Sequence, residues 1–89
     1  MKFKFSDVDA RIVIKCKTPR RPLELLIDFE GTVSYSYLCQ RLSVLHALGV
    51  LVRRNLRERG RNASWYSIKS EEFVKEAEKT LSEESDEVA

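Results

Sequence analysis

The sequence predicts a small α+β protein that is mainly helical and carries one β-hairpin. Two patterns lead to this prediction. Leu38, Leu42 and Leu45 recur at the spacing of one helix face. The alternating residues 64–68 follow the apolar triplet 50–52 as two paired strands would. With 89 residues, 43% of them hydrophobic, the chain has material for one small core, so its elements form one compact unit.

The first predicted element extends from about Asp7 to Cys16. Ser6 suits the N-cap of a helix, and Asp7 and Asp9 put negative charge in the first turn, where the helix dipole favours it. The β-branched run 12–14 suits a strand equally well, so the sequence leaves a helix and a strand open. Two prolines interrupt the chain after this element.

A short second helix is predicted to begin at Pro22, because the fixed φ of proline suits the first turn of a helix. It is predicted to end at Gly31, which adopts the left-handed conformation of a helix end at little cost. Leu23, Leu26 and Ile27 lie on one face of this helix, and we expect that face to enter the core.

The third helix is predicted over 34–48, with Ser34 as its N-cap and Gly49 closing it. The stretch 50–68 is then predicted to be a β-hairpin, in which 53–61 forms a charged connection containing a glycine.

A final helix is predicted over 70–82, followed by an acidic tail at 83–89 that we expect to be disordered. We therefore expect a domain at 1–69, a C-terminal helix at 70–82 and the tail at 83–89.

The apolar stripe of the C-terminal helix is expected to pack against a second copy and form a homodimer. Alternatively, the stripe folds back on its own core. Its residues are Phe73, Val74, Ala77 and Leu81.

The predicted order of helix, helix, turn, helix and hairpin is that of a winged helix-turn-helix. In this architecture the helix 34–48 fits the major groove of duplex DNA, and the hairpin is the wing. The face opposite the leucines is small, polar and uncharged, which suits close approach to base edges, and Gln40 has the amide group that pairs with adenine. A plain solvated face is the alternative. The helix residues predicted to bind DNA are Ser34, Tyr35, Ser36, Tyr37, Gln40 and Ser43.

The wing segment 53–62 holds five arginines and one acidic residue. Arginines on a hairpin tip can enter the minor groove or bind phosphates. Arg53 and Arg54 point to opposite faces of a strand, so only one of them is expected to face DNA. In the alternative interpretation, the arginines keep an exposed hairpin soluble. The predicted wing contacts are Arg54, Arg57, Arg59, Arg61 and Asn62.

Charge is unevenly distributed along the chain. Residues 1–70 carry 14 Lys or Arg and 6 Asp or Glu, whereas residues 71–89 carry 2 and 8. A basic body favours a polyanionic partner, and double-stranded DNA is the partner expected here.

The stretch 34–51, the pair Gly60-Arg61 and the stretch 65–68 resemble the winged-helix repressors of the ArsR and MarR type. These proteins show a Ser-rich helix start, paired leucines, a Gly-Arg wing and an aromatic strand. The resemblance covers about residues 8–68 and implies a sequence-specific regulator of transcription that acts as a repressor. Leucines at 25 and 26 stand where ArsR proteins have a metal-sensing cysteine pair, so metal sensing is not expected. The groove-facing positions implied by the resemblance are Tyr35, Ser36, Tyr37, Gln40 and Ser43.

No residues form a catalytic set in the sequence, so an enzyme, a metal site and a cofactor are not expected. Cys16 and Cys39 stand apart without a neighbouring His. Oxidation of Cys39, on the predicted reading helix, is a hypothetical redox switch. His46 has no partner for catalysis in the sequence.

No apolar run reaches the length of a membrane span and the start does not resemble a secretory signal, so a cytoplasmic protein without a membrane partner is expected. Winged helices also serve as protein-binding modules. The alternative function is therefore an interaction module in a transcription, replication or chromatin assembly.

Overall fold

The computed structural model describes the backbone of residues 5–88 and, within that range, the side chains of 5–57, 59–60 and 63–82. The described residues form four helices and one antiparallel pair of strands, which together make a winged helix. The predicted α+β fold, mainly helical with one hairpin, is confirmed. In chain order the elements are α1 (Asp7–Lys15), α2 (Pro22–Asp28), α3 (Tyr35–Ala47), β1 (Leu51–Glu58), β2 (Arg61–Ile68) and α4 (Glu71–Val88).

The first element is a helix along its β-branched run, so the strand alternative is wrong. The hydroxyl of Ser6 accepts a hydrogen bond from the backbone N–H of Asp9 at 3.2 Å, as expected of an N-cap. Ile12, Val13 and Cys16 are completely buried on the inner side of α1. Tertiary packing therefore overrides the β-propensity of these side chains.

The core-facing side of α2 differs from the prediction. Leu25 is completely buried, whereas Leu23 is 62% exposed and Ile27 is 74% exposed. Leu26 is half-buried against the core. Because apolar residues occur on more than one side of this short helix, the position of α3 and the other neighbours decides which side is covered.

The third helix is close to the prediction. The hydroxyl of Ser34 accepts a hydrogen bond from the backbone N–H of Tyr37 at 3.1 Å, which confirms the N-cap. Gly49 follows the helix with φ of +83°, a conformation that glycine adopts without strain. The predicted leucine stripe of α3 is buried in full, at Leu38, Leu42 and Leu45.

The strands of the hairpin are longer than predicted, because most of the expected charged connection is paired backbone. The register runs from Leu51 opposite Ile68 to Glu58 opposite Arg61. Only Arg59 and Gly60 form the turn, and both have positive φ, at 50° and 77°, as in the two-residue turns that suit the twist of a hairpin. Strand pairing uses backbone groups, so exposed arginines do not prevent it.

A third segment joins the sheet at Arg20, in the connection between α1 and α2. The backbone N–H of Arg20 donates to the carbonyl of Tyr66 at 2.9 Å, and the N–H of Tyr66 donates back at 2.8 Å. The N–H of Ile68 also donates to the carbonyl of Cys16 at 3.0 Å. These bonds attach the base of the hairpin to the end of α1.

The last helix packs on α1 of the same chain. Val74 and Ala77 are buried, and Phe73 and Leu81 are packed partly against the core. The apolar stripe that suggested a homodimer is therefore used within the chain. The helix also extends to Val88, beyond the predicted end at 82 and into the range expected to be a disordered tail.

Candidate nucleic-acid interface

The outer face of α3 is a strip of small, uncharged side chains. Ser36, Gln40 and Ser43 are all exposed, as is Ala47 one turn further along. These four residues lie opposite the buried leucines because they recur at intervals of three or four residues. Because most of these side chains are short, the backbone of α3 can approach a flat or grooved partner closely.

Two tyrosines flank this strip at the start of the helix. Tyr35 is 48% exposed and Tyr37 is 42% exposed. A hydrogen bond with Cys39 raises the pKa of Tyr35. Electrostatic interactions with the Cys39 thiol and the Tyr66 phenol raise this pKa further. Tyr35 is the first residue of α3 and interacts with Cys39 one turn further along the same helix.

His46 is exposed near the other end of α3. We did not predict it as a site residue, because a lone histidine carries no sequence signal for binding. Its exposed position on α3 is the one feature that places it near the predicted DNA-binding residues.

A partly buried ion pair joins α3 to α1. The guanidinium of Arg41 donates from Nε to Asp9 Oδ1 at 2.8 Å and from Nη2 to Asp9 Oδ2 at 2.6 Å. The side chain of Asp9 is 6% exposed and that of Arg41 is 27% exposed. The hydrogen bond with Asp9 raises the pKa of Arg41. This bidentate contact fixes the orientation of α3 relative to α1.

Asp9 was expected to interact with the helix dipole alone, so its pairing with Arg41 was not predicted. A signal was present in the sequence: Asp9, Val13 and Cys16 fall at the spacing of one helix face. A carboxylate in line with buried apolar residues requires a charged or hydrogen-bonded partner. The partner itself, 32 positions away, is not evident from the sequence.

The hairpin has two different faces. Arg53 and Arg57 lie on the face that bears the buried Leu51 and Tyr66, since alternate residues share a face. Asn55, on the same face, accepts a hydrogen bond from the Ser64 hydroxyl at 2.9 Å. Arg53 is thus exposed on the same face of the hairpin as these core residues, and it was not among the predicted wing contacts.

The predicted site residues on the wing are not all brought together. Arg57 and Arg59 are exposed near the turn. Arg54 lies on the opposite, outer face of the hairpin, because its register partner is Trp65. Arg61 and Asn62 lie in β2 opposite Glu58 and Arg57, and their side chains are outside the described residues.

The two cysteines differ in access, which gives a simple test of the core. Cys16 is completely buried, and this burial raises the pKa of its thiol to about 12. Cys39 is partly exposed. We expect a chromogenic disulfide reagent at about pH 8 to modify one thiol in the native chain and both after unfolding. Cys39→Ser should abolish the native reaction, and a native chain in which both thiols react would contradict the packing of α1.

Two further features are absent from the described part of the chain. No three His, Cys, Asp or Glu side chains gather there as a metal-binding group. None of the helices there combines the length and the apolar character needed to cross a membrane.

Comparison with known proteins gives similarity in structure but not in sequence. No protein-family model and no curated protein matches the chain. The crystal structure of smu.1704 from Streptococcus mutans UA159 aligns with a TM-score of 0.67 and 18% identity, over 96% of this chain and 84% of that one. ZitR from Lactococcus lactis, solved in complex with DNA, aligns with a TM-score of 0.64 and 16% identity, over 97% of this chain and 62% of that one. The chain thus spans less than two thirds of ZitR. At these identities the similarity shows a shared fold.

Proposed function

We propose that this chain binds double-stranded DNA and regulates transcription, with α3 in the major groove and the tip of the hairpin on the minor groove or the phosphates. The observation that carries the proposal is the exposed, uncharged strip on α3 beside a hairpin with exposed arginines at its tip. An α-helix fits the width of the major groove, and short polar side chains let it approach the base edges. The DNA complex of ZitR, which has the same fold, supports this choice of partner.

The two parts of this surface have different tasks in the proposed complex. Gln40 can donate to N7 and accept from N6 of adenine, and Ser36 and Ser43 can bond bases or phosphates, so the helix supplies sequence discrimination. Arg57 and Arg59 neutralise phosphates and release counterions, so the hairpin supplies affinity with little sequence information. Ser34, Tyr35 and Tyr37 are proposed to contact the backbone at the start of the helix, and Arg61 and Asn62 belong to the proposed wing.

Repression, which the resemblance to ArsR and MarR proteins implies, would follow where the bound site overlaps a promoter. Arg54, a predicted wing contact, lies on the opposite face of the hairpin from Arg53 and Arg57. We propose Arg53, on the inner face, as the additional phosphate contact at the base of the wing.

Titration of a mixed-sequence duplex by fluorescence anisotropy at two salt concentrations tests the proposal. The double variant Arg57→Ala/Arg59→Ala is expected to weaken binding on the order of tenfold or more at low salt. The slope of log affinity against log salt should fall by about two, because about one counterion is released per phosphate contact.

Lys75→Ala/Lys79→Ala is the matched control. It removes the same charge from exposed positions on α4, so its binding and salt slope should stay close to those of the native chain. The proposal is wrong if the native chain does not bind duplex at low salt, or if both double variants bind equally well.

A further inference from the structure

The outer face of the hairpin carries an apolar groove on the side opposite the buried Leu51 and Tyr66. Its volume is about 510 Å³, within the range of about 300 to 1,000 Å³ of small-molecule sites. Val52 and Leu56 are large aliphatic side chains in it that are 43% and 42% exposed. The groove is lined by Pro19, Val52, Arg54, Leu56, Trp65 and Ser67.

The charges at this groove are positive. Arg54 is one of its lining residues, and the guanidinium of Arg21 lies 5.1 Å from the centre of the Trp65 ring. None of the described residues that line the groove is acidic. An occupant that combines aliphatic groups with carboxylates therefore fits this groove.

A surface of that chemistry exists on the same chain, on α2. Leu23 and Ile27 are adjacent on its outer side, since they are four residues apart, and they are 62% and 74% exposed. All charged residues from 22 to 33 are acidic, namely Glu24, Asp28 and Glu30. Asp28 and Glu30 are exposed and pair with no cation among the described residues. The outer side of α2 thus complements the groove in both apolar character and charge.

We propose that two copies of the chain associate through these surfaces, with Leu23 and Ile27 of each copy in the hairpin groove of the other. Side chains four residues apart are the usual anchors of a helix bound in a groove. Two copies related by a two-fold axis make this contact twice, which gives a closed pair. The contact covers two exposed apolar surfaces and places Asp28 and Glu30 near Arg54 and Arg21. It uses none of the α3 residues proposed to read bases.

Sedimentation velocity of the full chain without DNA, from micromolar to millimolar concentration, tests the pairing. The native chain is expected to pass reversibly from monomer to dimer. Leu23→Ser/Ile27→Ser should raise the dissociation constant of the dimer about a hundredfold, because both apolar anchors are lost. Both side chains are exposed, so this variant should keep the helical circular dichroism and melting behaviour of the native chain.

A charge exchange between copies identifies the surfaces that meet. Arg54→Glu alone and Asp28→Lys/Glu30→Lys alone should each weaken self-association about tenfold, since like charges then face each other in both contacts. A one-to-one mixture of the two variants should recover native affinity, because both contacts of the mixed pair then join opposite charges. Lys75→Glu, the same charge reversal on α4, should have no effect on pairing.

A chain that is monomeric over the whole concentration range overturns the proposal. A dimer that Arg54→Glu leaves unchanged, or a mixture of variants that does not associate, overturns it as well. Arg57→Ala/Arg59→Ala should still pair. Failure of DNA binding and failure of pairing are therefore separate results.

Discussion

Replacement of Asp9 by alanine is expected to lower the free energy of unfolding by about 3 kcal/mol. The carboxylate is buried and receives two hydrogen bonds from Arg41, so its loss leaves a partly buried guanidinium without that partner. We place the effect at the lower end of the range for broken buried pairs because Arg41 retains some contact with water. In a domain of this size, such a loss is a large part of the total stability.

Chemical denaturation followed by circular dichroism measures this effect. Asp7→Ala is the matched control, since Asp7 also lies in the first turn of α1 but forms only a partly exposed contact with Arg11 at 3.4 Å. That variant is expected to lose at most about 1 kcal/mol. Equal destabilisation by the two replacements would contradict the role assigned to the Asp9–Arg41 pair.

Replacement of Gln40 is expected to change the sequence preference of the chain rather than its fold. If the amide reads an adenine as proposed, Gln40→Ala should reduce discrimination at that base pair by about 1 to 3 kcal/mol, which is roughly 5- to 150-fold in relative affinity. Gln40 is exposed on α3, so thermal stability should change little. The measurement is the affinity for a site selected from a random duplex pool, compared with single-base variants of that site.

Gln40→Glu is the informative companion variant. It keeps the length of the side chain but replaces the donor by an acceptor, so the preference at the same position should move from adenine towards cytosine. A merely structural role for Gln40 would not move the preference of one base pair. Unaltered discrimination in both variants would remove Gln40 from the reading surface.

The third helix, α3, was the part of the fold that the sequence predicted best. The N-cap at Ser34, the buried leucines and the terminating glycine are all signals within one short segment. The outward position of Ser36, Gln40 and Ser43 follows from the same periodicity and is observed. DNA contact by these residues stays a prediction, as does membership of the ArsR or MarR type.

The predictions of the buried side of α2 and of the strand lengths failed because the local sequence fits more than one structure equally well. On α2, apolar residues occupy more than one side, and the sequence favoured Leu23, Leu26 and Ile27 although Leu25 is the buried residue. At the hairpin, a run of arginines suggested a loop, although the backbone pairs almost to the turn at Arg59 and Gly60. In both cases a contact with another element decided the outcome.

The amino-acid order by itself determined the features that depend on neighbouring residues: four helix starts, the leucine stripe of α3 and the basic character of the hairpin. Only the tertiary structure decided which side of α2 is left exposed, which face of the hairpin carries Arg54, and that Asp9 pairs with Arg41. The physical reason is that periodicity specifies the faces of an element but not its neighbours. Burial and ion pairing depend on groups that are distant in the chain and meet only when the elements pack.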